Sequence, residues 1–295
     1  MQSYVLTIGK FEGIHLGHQA LLAQVVNMAK SLGLASAAMV FEPHPYIFFG
    51  NTSYKPLFTN NERNHLLLAT GLEHIISTQF DESFATLSPR DFSKKIFAEH
   101  NAKLVIVGEN YRFGKNRAGD IDFLRKEADT HKAQVQTVLP VSFCRCEPIS
   151  TSTIRKLLSQ NNLSEANRQL GFPFFIIGTV TRGKQLGRTL NFPTINIYPT
   201  EEKFLPMDGV YATQTIINGE KYNGVTNIGL RPTVDNSGSV RSVETHLFNY
   251  TKDLYDQHVK TELLEFIRPE QRFNSLDELK AQIALDALSA QKFFM

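Results

Sequence analysis

The chain has 295 residues, more than one hydrophobic core usually sustains, so two domains are expected. Its apolar fraction of 42% and charged fraction of 20% suit a globular protein. The net charge of +2 gives no electrostatic footing for nucleic acid or an anionic membrane surface. No run reaches the roughly 18 apolar residues of a membrane span. Met1–Gly9 has neither the basic region nor the apolar core of a secretory signal. The only cysteines, Cys144 and Cys146, are too close to staple a fold and are poorly spaced for zinc. They read as reduced thiols of a cytoplasmic protein.

Strand and helix patterns alternate through the first half. Tyr4–Ile8 is a short apolar run, and Leu21, Leu22, Val25, Val26, Ala29 and Leu32 then share a helix face that stops at Gly33. Leu34–Phe41 reads as a buried strand. Thr59 and Glu62 form a capping box for a helix over Glu62–Thr70, and His74–Thr78 is a third strand. Ser88-Pro89 opens a helix, Lys103–Val107 is a strand, Asp120–His131 a helix and Gln134–Val141 a fifth strand. Strands separated by helices imply a parallel sheet with right-handed crossovers, a Rossmann-like α/β domain.

From Phe174 the pattern changes to short strands: Phe174–Val180, Thr194–Ile197, Val210–Ile217, Tyr222–Ile228, Val243–Asn249 and Val259–Ile267. Asn218-Gly219 is a strong hairpin signal, because both central residues of a type I′ turn need positive φ. Ser275 and Glu278 cap a last helix with Leu279, Ile283, Ala287, Ala290 and Phe294 on one face. The second half is expected to be a small Greek-key-type β-barrel with a terminal helix. The expected division is 1–160, a linker at 161–173, and 174–295.

The first strand runs into Gly9-Lys10-Phe11-Glu12-Gly13-Ile14-His15-Leu16-Gly17-His18. A strand, a glycine-rich turn and a helix start make a phosphate site from free N–H groups and the helix dipole. His15 and His18 can both donate to one phosphate chain. Phe41-Glu42-Pro43-His44-Pro45 lies at the end of the second strand, the edge where open α/β sheets bind ligands. Val107-Gly108-Glu109-Asn110-Tyr111-Arg112-Phe113-Gly114 ends the fourth. Ile149-Ser150-Thr151-Ser152-Thr153-Ile154-Arg155 follows the fifth, with four hydroxyls and an arginine where phosphate oxygens can be held.

In the second half, Gly178-Thr179-Val180-Thr181-Arg182-Gly183-Lys184-Gln185-Leu186-Gly187-Arg188 is a strand and a basic glycine-punctuated loop, not a Walker A sequence. Pro193-Thr194-Ile195-Asn196 puts Thr194 and Asn196 on the same side of a strand. Their oxygens suit Mg²⁺. Further segments are Gly209-Val210-Tyr211-Ala212, Asn227-Ile228-Gly229-Leu230-Arg231-Pro232-Thr233 and Val243-Glu244-Thr245-His246-Leu247.

Over nearly its whole length the sequence resembles the bacterial bifunctional riboflavin kinase/FAD synthetases. The resemblance implies an N-terminal nucleotidyltransferase domain that adenylylates FMN to FAD, releasing pyrophosphate, and a C-terminal domain that phosphorylates riboflavin to FMN. It implies ATP contacts at Gly9, Phe11, Gly17, His18, Ser150, Thr151, Ser152 and Arg155, with His15, His18 and Arg155 assisting transfer. Flavin contacts are implied at His44, Pro45, Asn110, Arg112 and Phe113. In the second half it implies ATP contacts at Gly178, Gly183, Lys184, Gly187, Arg188, Thr194 and Asn196, with Mg²⁺ on Thr194 and Asn196. Flavin contacts there are Gly209, Tyr211, Asn227, Gly229 and Arg231, and Glu244 is the base for the ribityl hydroxyl.

The sequence departs from the family pattern at several places. Lys10 stands for asparagine, Glu12 for aspartate, Glu109-Asn110-Tyr111 for Asp-Phe, Ile195 for alanine and Asp256 for glycine, and Thr151 and Ser152 exchange their order. The expected partners are riboflavin, FMN and ATP, with neither nucleic acid nor membrane; self-association is not readable. Two other readings stay open. One is a riboflavin kinase whose first domain is weakened by Lys10 and Glu12, and the other a flavin-binding regulatory protein without turnover.

Overall fold

A computed structural model describes residues 2–142, 148–182, 192–200, 202–232 and 239–295. The loop residues Gly183, Lys184, Gly187 and Arg188, both cysteines and the Arg231 side chain lie outside the described part. The chain forms two compact units, Met1–Thr151 and Ser152–Met295.

The first unit alternates strand and helix, beginning β1 (Tyr4–Ile8), α1 (Leu16–Leu32), β2 (Ala35–Glu42), α2 (Pro45–Phe48), α3 (Asn60–Ala69) and β3 (His74–Gln79). It continues with α4 (Glu82–Ala85), α5 (Pro89–Lys94) and a π turn (Lys95–Glu99), then β4 (Ala102–Gly108), α6 (Ile121–Thr130) and β5 (Gln134–Val138). All five strands are parallel, in the order β3-β2-β1-β4-β5. The expected Rossmann-like sheet is therefore present. β1 and β4 are apolar on both faces because helices cover both, and Val5, Leu6, Val105 and Ile106 are fully buried. α1 turns Leu22, Val25, Val26 and Ala29 to the sheet and ends at Gly33, whose φ of 65° favours glycine.

Boundaries moved where local chemistry intervenes. β5 stops at Val138 rather than Val141, since Pro140 has no N–H with which to extend a ladder. The single-turn helices α2 and α4 are too short to show a helical period and were not expected. Both carry side-chain caps, from His44 and Asp81.

The second unit contains α7 (Thr151–Ser159), α8 (Leu163–Leu170), β6 (Phe175–Thr181), β7 (Ile195–Ile197), β8 (Gly209–Ile217) and β9 (Glu220–Pro232). It ends with β10 (Ser239–Leu247), β11 (His258–Pro269) and α9 (Leu276–Phe293). The six strands close in the order β10-β7-β6-β11-β8-β9, the small barrel expected. Asn218 and Gly219 both take positive φ and pair Ile217 with Glu220, the two-residue hairpin read from the sequence. β9 and β10 are longer than their apolar runs suggested, because the ladder continues through polar residues. α9 packs Ala287 and Ala290 on Val210, Ala212 and Val225 of the outer barrel wall. Among the described residues, no helix is long and apolar enough to cross a membrane.

The opposite face of the same strands is unusually polar for an interior. Thr213, Thr215, Thr226, Thr245 and Thr261 have no exposed surface. They satisfy one another: Thr226 Oγ1 lies 2.8 Å from both Thr213 Oγ1 and Thr245 Oγ1, and Thr215 meets Thr261 at 3.1 Å. Removing only the central hydroxyl strands two buried neighbours. Thr226→Val should therefore cost about 1–3 kcal/mol in guanidinium unfolding, whereas Thr213, Thr226 and Thr245 all changed to Val should cost less than three such losses summed.

Candidate active sites

In the first unit the order of strands reverses between β1 and β4, so the loops after them diverge at the C-terminal edge of the sheet. The resulting cleft of about 270 Å³ is lined by Gly9, Phe11, His15, Gly17 and His18 from the first loop. Gly108, Glu109, Asn110, Val138 and Ile149 close it from the later ones.

His15 is the N-cap of α1: its Nδ1 accepts the His18 backbone N–H at 3.4 Å. The neutral ring then carries its proton on Nε2. The two imidazoles stack 3.8 Å apart at 19°. Burial pushes His15 down to about 4; burial, with help from His15 and Lys10, holds His18 well below its usual value. Both are neutral at physiological pH. His18 Nδ1 is buried and has no hydrogen-bond partner among the described residues, an atom available to a ligand. The connecting loop is strained, with buried Phe11 at φ 47° and β-branched Ile14 at φ 42°, and such strain concentrates at functional sites.

Glu12, a departure noted in the sequence, is almost wholly buried. Its carboxylate accepts the Tyr54 hydroxyl and the Leu57 N–H (3.0 Å) and sits 3.8 Å from His44 Nε2. The His44 ring stacks on Tyr54 at 4.7 Å while its Nδ1 caps α2 by accepting the Tyr46 N–H. Glu12 therefore fastens loop 54–57 and His44 beside the cleft. Tyr54 was missed in the sequence, because nothing local links it to Glu12.

Several expected contacts take other places. Asn110 lines the histidine cleft, but Arg112 pairs with Asp120 at 3.3 Å and lines, with Arg125, an adjoining groove that shares Glu109 and Tyr111 with the cleft. Phe113 belongs to the sheet core, against Phe92 and Tyr111. Thr151 Oγ1 lies against Gly13, and the Arg155 guanidinium lies over the Phe204 ring at 4.7 Å.

In the second unit, strand register aligns residues that are distant in sequence. Glu244 on β10 lies opposite Asn196 on β7 and opposite Asn227 on β9, so the three share the outer face of the barrel. A pocket of about 280 Å³ between that face and α9 takes in Thr194, Asn227, Glu244, His246, Phe273 and Ile283. A second pocket of similar size, about 280 Å³, includes Thr194 with Tyr250, Lys252, Asp253 and Tyr255. Thr194 thus sits where two pockets meet. Asn196 Oδ1 is buried without a partner among the described residues.

Arg268 makes a bidentate pair with Asp286 (2.8 and 2.7 Å) that ties α9 to β11 at the pocket wall. Asp286 interrupts the apolar face of α9, which was the available sequence signal for a buried partner. Tyr211, expected at the flavin, is instead inside the barrel, donating its hydroxyl to the Met207 carbonyl. Gly178, Gly209 and Gly229 have packing reasons: a Cβ at each would strike Ile197, the Arg268 carbonyl or Glu270.

Comparison with known proteins accounts for both arrangements. Residues 1–153 match the FAD synthetase family model and residues 170–294 the riboflavin kinase model. The bifunctional riboflavin kinase/FMN adenylyltransferase of Escherichia coli K12 is 39% identical over 98% of this chain and 92% of its own length. The chain belongs to the bifunctional riboflavin kinase/FMN adenylyltransferase family.

The family member from Haemophilus influenzae Rd is 35% identical, over 100% of this chain and 95% of that one. A crystal structure described as a macrolide-efflux protein from Streptococcus pneumoniae superposes with a TM-score of 0.87 and 29% identity. It covers 97% of this chain, and the match spans 93% of that one. The FAD synthetase match contains the histidine cleft, and the riboflavin kinase match contains the Asn196–Glu244–Asn227 row.

The buried histidines make stability pH-dependent. An unfolded imidazole titrates near 6.5 and folded His15 near 4, so between those values the unfolded chain binds more protons. Stability of the first unit should fall as pH drops through this window, by up to about 3 kcal/mol from His15. Above it the term is constant. Thermal unfolding followed from neutral pH to about pH 4 should show a shallower loss in His15→Asn, which keeps a capping side chain.

Proposed function

We propose that this family member carries out both flavin steps: riboflavin and ATP give FMN and ADP in the barrel unit, and FMN and a second ATP give FAD and pyrophosphate in the sheet unit. The observation that carries the reading is that each family half has a cleft of its own, lined by His15 and His18 in one and by Thr194, Asn227 and Glu244 in the other. The catalytic modules are assigned to 1–160 and 174–295, with α8 in the segment that joins them.

In the barrel unit, Glu244 takes the proton from the ribityl hydroxyl as that oxygen attacks the γ-phosphorus. Riboflavin occupies the pocket beneath α9 beside Asn227, and ATP approaches from the pocket of Tyr250 and Tyr255. Thr194, common to both pockets, lies where the phosphoryl group crosses. Thr194 and Asn196 would hold Mg²⁺, and the buried Oδ1 of Asn196, without a partner among the described residues, is a donor of the hard-oxygen kind that ion takes. When bound, Mg²⁺ offsets charge on the transferred phosphoryl.

In the sheet unit, ATP lies across the N-terminus of α1, where free N–H groups and the helix dipole favour phosphate. Neutral His15 and His18 donate to phosphate oxygens, with Ser150 and Thr151 as further phosphate groups of the motif. An FMN phosphate oxygen attacks the α-phosphorus, and the bond to the β-phosphate breaks; no covalent enzyme intermediate is needed. The buried role of Glu12 favours an intact first site over a kinase with a vestigial domain. A cytoplasmic location, where ATP and flavin meet, goes with this reading.

Chromatographic time courses of the full chain with riboflavin, ATP and Mg²⁺ should show FMN first and FAD after it. Glu244→Gln should slow FMN formation about 10²–10⁴-fold and leave FMN-to-FAD conversion intact. His18→Ala should do the reverse, accumulating FMN with FAD formation down about 10²-fold or more. A Glu244→Gln enzyme that still phosphorylates riboflavin at the wild-type rate would remove the base assignment.

A further inference from the structure

ATP brings about four negative charges to the sheet unit, yet the described lining of the histidine cleft contains no lysine or arginine. Its fixed charge is Glu109, and both histidines are neutral. Arg112 turns to Asp120, Arg63 is engaged with Glu42 at 2.5 Å, and the Arg155 guanidinium lies over the Phe204 ring. The hydroxyls and N–H groups of the site can bond phosphate oxygens but bring no net charge.

Lys10 stands between two residues of the lining, Gly9 and Phe11, and is exposed. Its ammonium makes no ion pair among the described residues; it rests 4.3 Å above the Tyr46 ring. That ring is held edge-on to Tyr54 at 5.0 Å, and Tyr54 is in turn stacked on His44 and bonded to Glu12. The positive charge is also near enough to His18 to oppose its protonation. A cation thus waits on a built aromatic ledge beside the phosphate site, on a flexible stem suited to a point-charge contact.

We propose that Lys10 is a phosphate-binding cation of the sheet unit, taking the β- and γ-phosphates of ATP from its place on Tyr46 and holding the pyrophosphate as it leaves. The inference rests on the adenylyl-transfer reading of this cleft. In that step the FMN oxygen forms its bond to the α-phosphorus. The pair from the broken bridge passes to the β-phosphate oxygen, and Lys10 offsets the charge that accumulates there.

The test is steady-state FAD formation from FMN by the full chain, with ATP varied and with inorganic pyrophosphate as inhibitor. Lys10→Asn should raise the KM for ATP and the inhibition constant of pyrophosphate together, each about 10-fold. Lys10→Arg should stay within about 3-fold of wild type. Tyr46→Leu should raise both constants about 2- to 4-fold, and Tyr46→Phe should not. Riboflavin phosphorylation by the same preparations should be unchanged, which separates the effect from misfolding. Lys10→Asn with unaltered ATP and pyrophosphate constants, or with faster FAD formation, overturns the proposal. A wild-type chain that makes no FAD overturns the reading of the cleft and this proposal with it.

Discussion

The reversal of strand order between β1 and β4 is the constraint on which the first unit depends. Parallel strands need crossovers, and crossovers that depart to opposite sides leave a gap at the carboxyl edge of the sheet that no side chain of the core fills. The chain places the loop after β1, with Gly9, Phe11 and His15, in that gap. Holding it there requires Phe11 and Ile14 in left-handed backbone, at about 1–3 kcal/mol each, a cost that burial in the core beneath α1 can offset.

Electrostatics follows from the same burial. A pair of histidines stacked at 3.8 Å cannot both be charged, and the low dielectric around them excludes even one proton near neutral pH. The cleft therefore presents oriented dipoles, from the α1 N-terminus and neutral imidazoles, with no lysine or arginine among its described lining residues. Buried Glu12 is held by N–H and O–H donors and sits 3.8 Å from His44 Nε2, so that the loop carrying His44 is fixed beside the cleft. Preorganised neutral donors of this kind need no rearrangement when charge moves along a phosphate chain.

The barrel solves a different problem. A closed sheet has an inside and an outside that alternate along every strand. Here the inside holds threonines that satisfy one another, and the outside carries Asn196, Glu244 and Asn227 in one cross-strand row. α9 covers part of that outer face, clamped by the Arg268–Asp286 pair, and leaves a pocket over the row. The Asn196–Glu244–Asn227 row and the polar core are thus two faces of one register, and a slip of one residue would exchange them.

Much of this was legible in the chain itself. The alternation of strand and helix announced the parallel sheet, Asn218-Gly219 the hairpin, Ser275 the start of the last helix, and His15-x-x-His18 a loop after a strand that lines a cleft. These are signals carried by neighbours within a few residues. The family motifs extended that reading to Glu244, Thr194 and Asn196. Tertiary structure decided what depends on partners far along the chain. It put Phe113 and Tyr211 in cores, turned Arg112 to Asp120, joined Glu12 to Tyr54, and set Asn196, Glu244 and Asn227 in register. Local sequence determines which backbone shapes are favourable and which face of an element is apolar. Which side chains meet is settled only when the sheets close, because hydrogen-bond register and burial are properties of the assembled strands rather than of any one of them.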